Sequence, residues 1–139
     1  MIVFYHANRK DKSIEWAQRI IDMKDEKRQY DILQVLARCI AMIIYFEENN
    51  YSLLESQIGS ARFYFSKHGI ESKLTSTLGN ALLKILKQID KKERRNLLQK
   101  LSNDLKTILS AEKQNEFLSS FDFVKWCSER MWNLLSLTQ

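Results

Sequence analysis

The side chains that could carry chemistry are few and are scattered along the chain. The histidines are His6 and His68, and the cysteines are Cys39 and Cys127. No zinc-protease motif, paired C-x-x-C, phosphate-binding loop or nucleophile elbow is present. Glu47 and Glu48 are adjacent, and adjacent helical residues point apart, so they are not expected to act as an acid–base pair. We therefore expect no enzyme activity, no metal and no cofactor.

Basic side chains are concentrated in a run between residues 84 and 100. Its first members repeat at helical spacing and can share one face. Such a run is most often a solvated helix face, and its functional interpretation is contact with phosphate groups or an acidic peptide. No aromatic residue interleaves the run, which gives base stacking little support. The members of the run are Lys84, Lys87, Lys91, Lys92, Arg94, Arg95 and Lys100.

Aromatic side chains are unusually dense near the C-terminal end of the sequence. Phe121, Phe123, Trp126 and Trp132 exceed what a single inward stripe of one short helix needs. The favoured interpretation is a closing helix that seals the core, as the ends of helical arrays require. The alternative is an exposed patch for self-association.

The composition indicates one all-helical domain over residues 1–139. A chain of 139 residues is long enough for a substantial core. It has no proline and three glycines, so we expect long helices joined by short turns. No sustained alternation of apolar and polar residues predicts a strand. The formal charge of +5 permits an acidic partner without requiring one.

The cysteines and the apolar runs bear on location. Cys39 and Cys127 lie within apolar helical patterns, which indicates buried thiols in a reducing compartment, although a disulfide stays open as an alternative. The N-terminal apolar stretch is too short for a secretory signal, and no run approaches the roughly 20 residues that span a membrane. We expect a cytoplasmic protein with no membrane partner.

Residues 43–58 organise the chain, because they predict a helix end, a very short polar turn and a second helix. Two helices joined this tightly pack against each other as antiparallel neighbours. Asn49 tolerates left-handed backbone and can end the first helix, while Asn50, or Ser52 together with Glu55, can cap the second. The facing stripes should form one continuous core of Leu36, Ile40, Ile44, Leu54, Ile58 and Ala61.

Other capping and breaking residues predict further helices on both sides of this hairpin. Gly79 lies inside one predicted helix, which is explained by a close approach of a second helix. Residues 24–28 and 111–116 predict polar connections. Residues 2–7 resemble the tail of a helix begun earlier, so we expect the chain to be the C-terminal part of a longer repeat protein. The predicted boundary residues are Asp11 or Ser13, Gly69, Ser72, Asp90 with Glu93, and Ser119 or Ser120.

The central turn resembles a tetratricopeptide repeat. Within residues 35–66, Tyr45 and Tyr51 match the aromatic residues on either side of that family's inter-helix turn. Leu54, larger than the usual alanine, departs from the pattern, as do Arg38 where tryptophan is preferred and Met42 where a small residue is preferred. The resemblance implies stacked antiparallel hairpins in a short right-handed superhelix, with Tyr51 packed against the preceding helix.

The resemblance also implies protein or peptide partners, held on the surface formed by the first helix of each hairpin. The corresponding positions here are apolar, so either a neighbouring helix covers them or they form a hydrophobic groove. They are Leu36, Cys39, Ile43 and Phe46.

We therefore predict a non-catalytic protein-interaction or scaffold module. Buried apolar anchors usually carry most of the energy of an interface, with charges at its rim. Self-association is a further expectation, and the alternative function is nucleic-acid binding through residues 84–100. The expected anchors are Phe46, Trp126 and Trp132, and the expected rim residues are Lys91, Arg94 and Arg95.

Overall fold

The computed structural model describes residues 1–23, 31–111 and 121–136, with side chains as far as residue 133 in the last segment. These segments contain helices and no strand, which confirms the all-helical prediction. None of the helices so described is both long enough and apolar enough to cross a membrane. The helices are α1 (Ile2–His6), α2 (Lys10–Ile21), α3 (Asp31–Glu47), α4 (Tyr51–His68), α5 (Lys73–Lys87), α6 (Lys91–Ala111) and α7 (Phe123–Ser136).

Helix α3 lies at the centre of the fold and packs against α2, α4 and α5. Every residue from Leu36 to Ile44 is buried, as expected of a helix with neighbours on several sides. Each helix also packs against the next one along the chain. The predicted hairpin core is confirmed, since one buried cluster includes Leu36, Ile40, Ile44, Leu54, Ile58 and Ala61.

Local signals at the central helix ends are confirmed. Asn49 has a φ of 55°, the left-handed conformation that ends α3, and Gly69 has a φ of 64° at the end of α4. Of the two alternatives for the start of α4, Asn50 is the cap: its side-chain oxygen accepts a hydrogen bond from the Leu53 amide at 3.1 Å. Ser72 caps α5 by accepting one from the Thr75 amide at 3.3 Å.

The start of α2 differs from the prediction. The helix begins at Lys10, so Asp11 and Ser13 lie inside it, and the turn before it is made by Asn8 with a φ of 60°. Ser13 is buried, and its hydroxyl donates to the Met1 carbonyl at 2.8 Å. A serine that looks like a cap in the sequence therefore ties α2 to the beginning of α1.

The later caps lie partly outside the described residues. Asp90 precedes α6 and accepts a hydrogen bond from the Lys92 amide at 3.0 Å, which confirms it as a cap; its own amide donates to Gln88 Oε1 at 3.2 Å and not to the predicted partner Glu93. At the start of α7 the capping side chain is Asp122, which accepts from the Lys125 amide at 2.9 Å. The predicted caps Ser119 and Ser120 lie outside the described residues, as do the loop at 24–28 and residues 112–116 of the last connection.

Gly79 is the point of closest approach between α5 and the central hairpin. A Cβ added there would lie 2.9 Å from Cγ1 of Ile58 and 3.4 Å from the Met42 sulfur. The predicted close approach is confirmed, because a methyl group has no room between these side chains. Gly59, in the middle of α4, offers a contrast, since nothing lies within 4 Å of a Cβ added there.

We expect Gly79→Ala to lower the free energy of unfolding by about 1 kcal/mol or more, because overpacking exceeds the gain in helix propensity. Gly59→Ala is the matched control and should raise stability by about 0.5–1 kcal/mol. Urea denaturation of both variants checks the pair. Equal stabilisation by the two substitutions would show that α5 has room to move away.

Leu54 and Leu53 provide a second matched pair on α4. Leu54 is 0% exposed and Leu53 is 44% exposed. Leu54→Ala should therefore cost about 2–5 kcal/mol of unfolding free energy, because it leaves a cavity against α3. Leu53→Ala should stay within about 1 kcal/mol, and thermal and urea denaturation provide the measurement. Similar losses at both positions would contradict this packing of the hairpin.

Candidate functional site

Two of the predicted partner anchors, Phe46 and Trp126, lie in the core. Phe46 is 7% exposed and Trp126 is 3% exposed. Their rings contact edge to face, with centroids 5.6 Å apart. Phe121 and Phe123 are also buried. Helix α7 thus seals the end of α3, and assigning Phe46 and Trp126 as surface anchors does not fit their burial.

The other four predicted contact residues reach the surface. Trp132 is 69% exposed, so the aromatic set divides into three sealing side chains and one surface side chain. Lys91 and Arg95 are exposed on the first turns of α6, while Arg94 is half-buried. The structure therefore divides the predicted residues in a way that the sequence did not: Phe46 and Trp126 form a buried pair, and the other four reach the surface on α6 and α7.

The surface that the repeat resemblance assigns to peptides is covered. Leu36, Cys39, Ile43 and Phe46 are all buried. The thiol of Cys39 lies 3.7 Å from the Thr75 hydroxyl of α5, and Phe46 is covered by Trp126 of α7. Of the two interpretations left open by the sequence, the structure shows the neighbouring helix and not the open groove.

Tyr51 does not make the ring contact that the resemblance implies. It is half-buried, and the Lys87 ammonium lies over its ring, 5.4 Å from the centroid. Among the described residues no ring contact joins Tyr51 to Tyr45 or Phe46. The Tyr51 ring contacts Lys87 of α5. The angle between the two helices of the hairpin is therefore set by the tight turn at Asn49.

A buried carboxylate at the end of α3 connects the two ends of the described chain. The Glu47 side chain is 2% exposed. It accepts hydrogen bonds from the Tyr5 hydroxyl, from Trp126 Nε1 at 3.3 Å and from an Arg130 Nη atom at 2.7 Å. The Lys10 ammonium lies 3.0 Å from the same carboxylate. Glu47 is therefore held by α1, α2 and α7 at once.

The charge of Glu47 explains why cations gather there. A helix C-terminus carries about half a negative charge, so a carboxylate on the last turn of α3 is unfavourable unless positive groups offset it. Lys10 and Arg130 do so, with their side chains 34% and 31% exposed. Burial, reinforced by the hydrogen bond to Glu47, raises the pKa of the Tyr5 hydroxyl, so Tyr5 stays protonated as a donor.

A small cavity lies beside this cluster, with a volume of about 210 Å³. Its apolar lining consists of Phe46, Ile85 and Leu98, which are themselves buried side chains. Arg94 reaches it from the start of α6, and Arg130 reaches it from α7. The remaining lining residues are Glu47, Asn49 and Asn133. We call this space the arginine pocket.

Arg130 forms an ion pair with Glu47, whereas Arg94 has no carboxylate partner among the described residues. Within these residues the Nε of Arg94 also has no hydrogen-bond partner. Arg130 binds Glu47 through one Nη atom, and its Nε likewise has no partner within that part of the chain. Sequence reasoning placed Arg94 at the rim of an interface, but nothing in the local pattern could show that it shares a cavity with Arg130.

Among the described residues, no hydrogen bond joins a cysteine to a histidine. Burial raises the pKa of Cys39 and of Cys127 to about 12, so both thiols stay protonated, and both are free cysteines. His6 stacks on Phe121 with ring centroids 5.8 Å apart, and His68 packs against the Tyr64 ring at 4.5 Å. No group of three or more metal-ligating side chains occurs among the described residues.

No protein-family model, curated protein or solved structure matches this chain.

We expect Glu47→Gln to cost about 2 kcal/mol of stability, because hydrogen bonds to charged groups contribute more than neutral ones and two cations lose their carboxylate. Glu48→Gln is the matched control: Glu48 is exposed, and its substitution should stay within about 0.5 kcal/mol. Urea denaturation at neutral pH separates them. If the two variants unfold at the same urea concentration, the cluster does not hold the helices together.

Proposed function

We propose that this chain is a non-catalytic protein-interaction module, built as a short tetratricopeptide-like stack of helical hairpins with a right-handed twist. The three-residue turn between α3 and α4, with left-handed Asn49, supports the hairpin. The packing of α3 against both α4 and α5 supports the stacking of one hairpin on the next. The proposal includes a cytoplasmic location, which the free buried thiols Cys39 and Cys127 favour.

The contact surface of the proposed module is the end of the molecule where α6 begins and α7 ends. The observation that carries the proposal is the exposure of Trp132, at 69%, on a helix whose other aromatic residues are buried. Tryptophan and arginine are the side chains that most often dominate interface energy. Trp132 is next in sequence to Asn133, which lines the arginine pocket, so the backbone that carries Trp132 lies close to the pocket although the two side chains point in different directions.

This surface differs from the one that the repeat resemblance implies. The implied surface lies on α3, where α5 and α7 cover it. Lys91 and Arg95 are exposed near the pocket and give the surface a positive rim. Rim charges steer association with an acidic partner and mainly affect the rate of association. A segment that combines apolar and acidic residues fits this arrangement, and a second copy of the chain is a further candidate.

Nucleic-acid binding is the second candidate, and the exposed Lys92, Arg95 and Lys100 of α6 favour it. Two members of the basic run also make other contacts: Lys87 lies over the Tyr51 ring but stays exposed, and the half-buried Arg94 lines the pocket. The protein-interaction function is preferred because no aromatic residue interleaves the basic run to stack on bases.

The proposal predicts that Trp132→Ala weakens binding of peptides selected against the full chain from a random display library. The expected loss is about tenfold or more, since removal of a buried interface tryptophan commonly costs above 1.4 kcal/mol. Trp16→Ala is the matched control, because Trp16 is 42% exposed on α2. Sedimentation of the same variants reports self-association.

Binding to mixed DNA and RNA oligonucleotides over a salt series tests the second candidate. Affinity that falls steeply with salt and is indifferent to Trp132→Ala would replace the protein-interaction function by nucleic-acid binding. Equal effects of the Trp132 and Trp16 substitutions on peptide binding would also refute the proposed surface.

A further inference from the structure

The arginine pocket combines an apolar floor with one cation, Arg94, that pairs with no carboxylate among the described residues. Phe46, Ile85 and Leu98 form the floor, and each is at most 7% exposed. The sides of the pocket are lined by Arg94 and Arg130. Apolar pockets with a small number of convergent polar groups are the usual form of small-ligand sites.

We propose that the arginine pocket binds the carboxylate of a small aliphatic acid, with the guanidinium of Arg94 as its main ionic partner. A planar guanidinium presents parallel N–H donors that match the two oxygens of a carboxylate. Arg94 is available for this contact because no protein carboxylate among the described residues pairs with it. The hydrocarbon part of the acid packs on the floor beneath.

The charges around the pocket agree with an anion of low charge. Lys10, Arg94 and Arg130 supply three positive charges, and Glu47 supplies one negative charge. The C-terminus of α3 offsets about a further half charge. Most of the remaining positive charge lies on Arg94, because Lys10 and Arg130 already bind Glu47. One carboxylate neutralises most of this excess.

The pocket is small and partly open to solvent. Its volume of about 210 Å³ lies below the roughly 300 Å³ at which pockets for drug-sized ligands begin, so the part of a ligand that it encloses comprises a few carbon atoms. Inorganic phosphate would fit, but it would leave the apolar floor without a partner. A short branched acid such as isovalerate matches both the floor and the charge.

The test is titration of the full nitrogen-15-labelled chain with isovalerate, followed by NMR at the amides of Leu98 and Asn133 and at the arginine Nε groups. We expect saturable shifts in wild type and about tenfold weaker binding of isovaleramide, which keeps the shape and lacks the charge. Arg94→Gln should weaken isovalerate binding by about tenfold or more, while Arg95→Gln leaves it unchanged. Arg95 is the matched control because it is exposed and carries the same charge.

A carboxylate could also come from a glutamate side chain of a partner protein. The blocked tripeptide acetyl-Leu-Glu-Leu-amide tests this source, and saturation of the same resonances at lower concentration than isovalerate assigns the site to a protein side chain. Absence of saturation by either compound overturns the proposal, as does tighter binding of inorganic phosphate or equal effects of the two arginine substitutions. The proposal goes beyond the protein-interaction function, and because it is tested at Arg94 and not at Trp132, either can fail alone.

Discussion

The buried charge of Glu47 is the constraint on which the arrangement of the outer helices depends. A carboxylate that is 2% exposed at a helix C-terminus requires compensation from outside its own helix. The compensation comes from Tyr5, Lys10 and Arg130, which lie on three other helices. Moving α1, α2 or α7 away would leave the carboxylate short of a donor. Hydrophobic interactions are non-directional, so the core alone would not fix the positions of these three helices to the same degree.

The same cluster explains why a cavity remains in a region that is otherwise sealed. Helix α7 brings Trp126 over Phe46, and one turn later it brings Arg130 to Glu47. Arg130 binds that carboxylate, whereas Arg94, which lines the same cavity, pairs with no acidic group among the described residues. Two guanidinium groups that line one cavity repel each other, which disfavours closure of the space between them. The cavity is thus a consequence of the way in which Glu47 is satisfied.

Features encoded over a few residues could be predicted from the sequence. The turn at Asn49, the caps Asn50 and Ser72 and the close approach at Gly79 each depend on local backbone chemistry or on helical periodicity. The prediction that Ser13 could cap α2 was wrong, because a serine hydroxyl can either cap a helix or, as here, bind a distant carbonyl group. Local sequence does not distinguish these two uses.

The candidate site was far less predictable than the fold. The hydrogen-bond donors to Glu47 that come from α1 and α7 lie 42, 79 and 83 residues away in sequence, so no motif connects them. Sequence patterns identified the aromatic set near the C-terminus, but they could not divide it into sealing and exposed members. That division depends on how α7 is rotated about its axis, which the interaction of Arg130 with Glu47 helps to set.

Helices α1 and α7 meet at the Glu47 cluster, and this has a consequence for how the molecule unfolds. Tyr5 of α1 donates to Glu47 and also packs edge to face on Phe121, just before α7, with ring centroids 5.3 Å apart. In a linear helical array each unit touches only its neighbours, and the terminal units fray independently. Here α1 and α7 share one set of interactions, so loss of either helix exposes the buried charge of Glu47 beneath the other. The two helices are therefore thermodynamically coupled, and amide hydrogens in α1 and α7 should exchange through the same opening event.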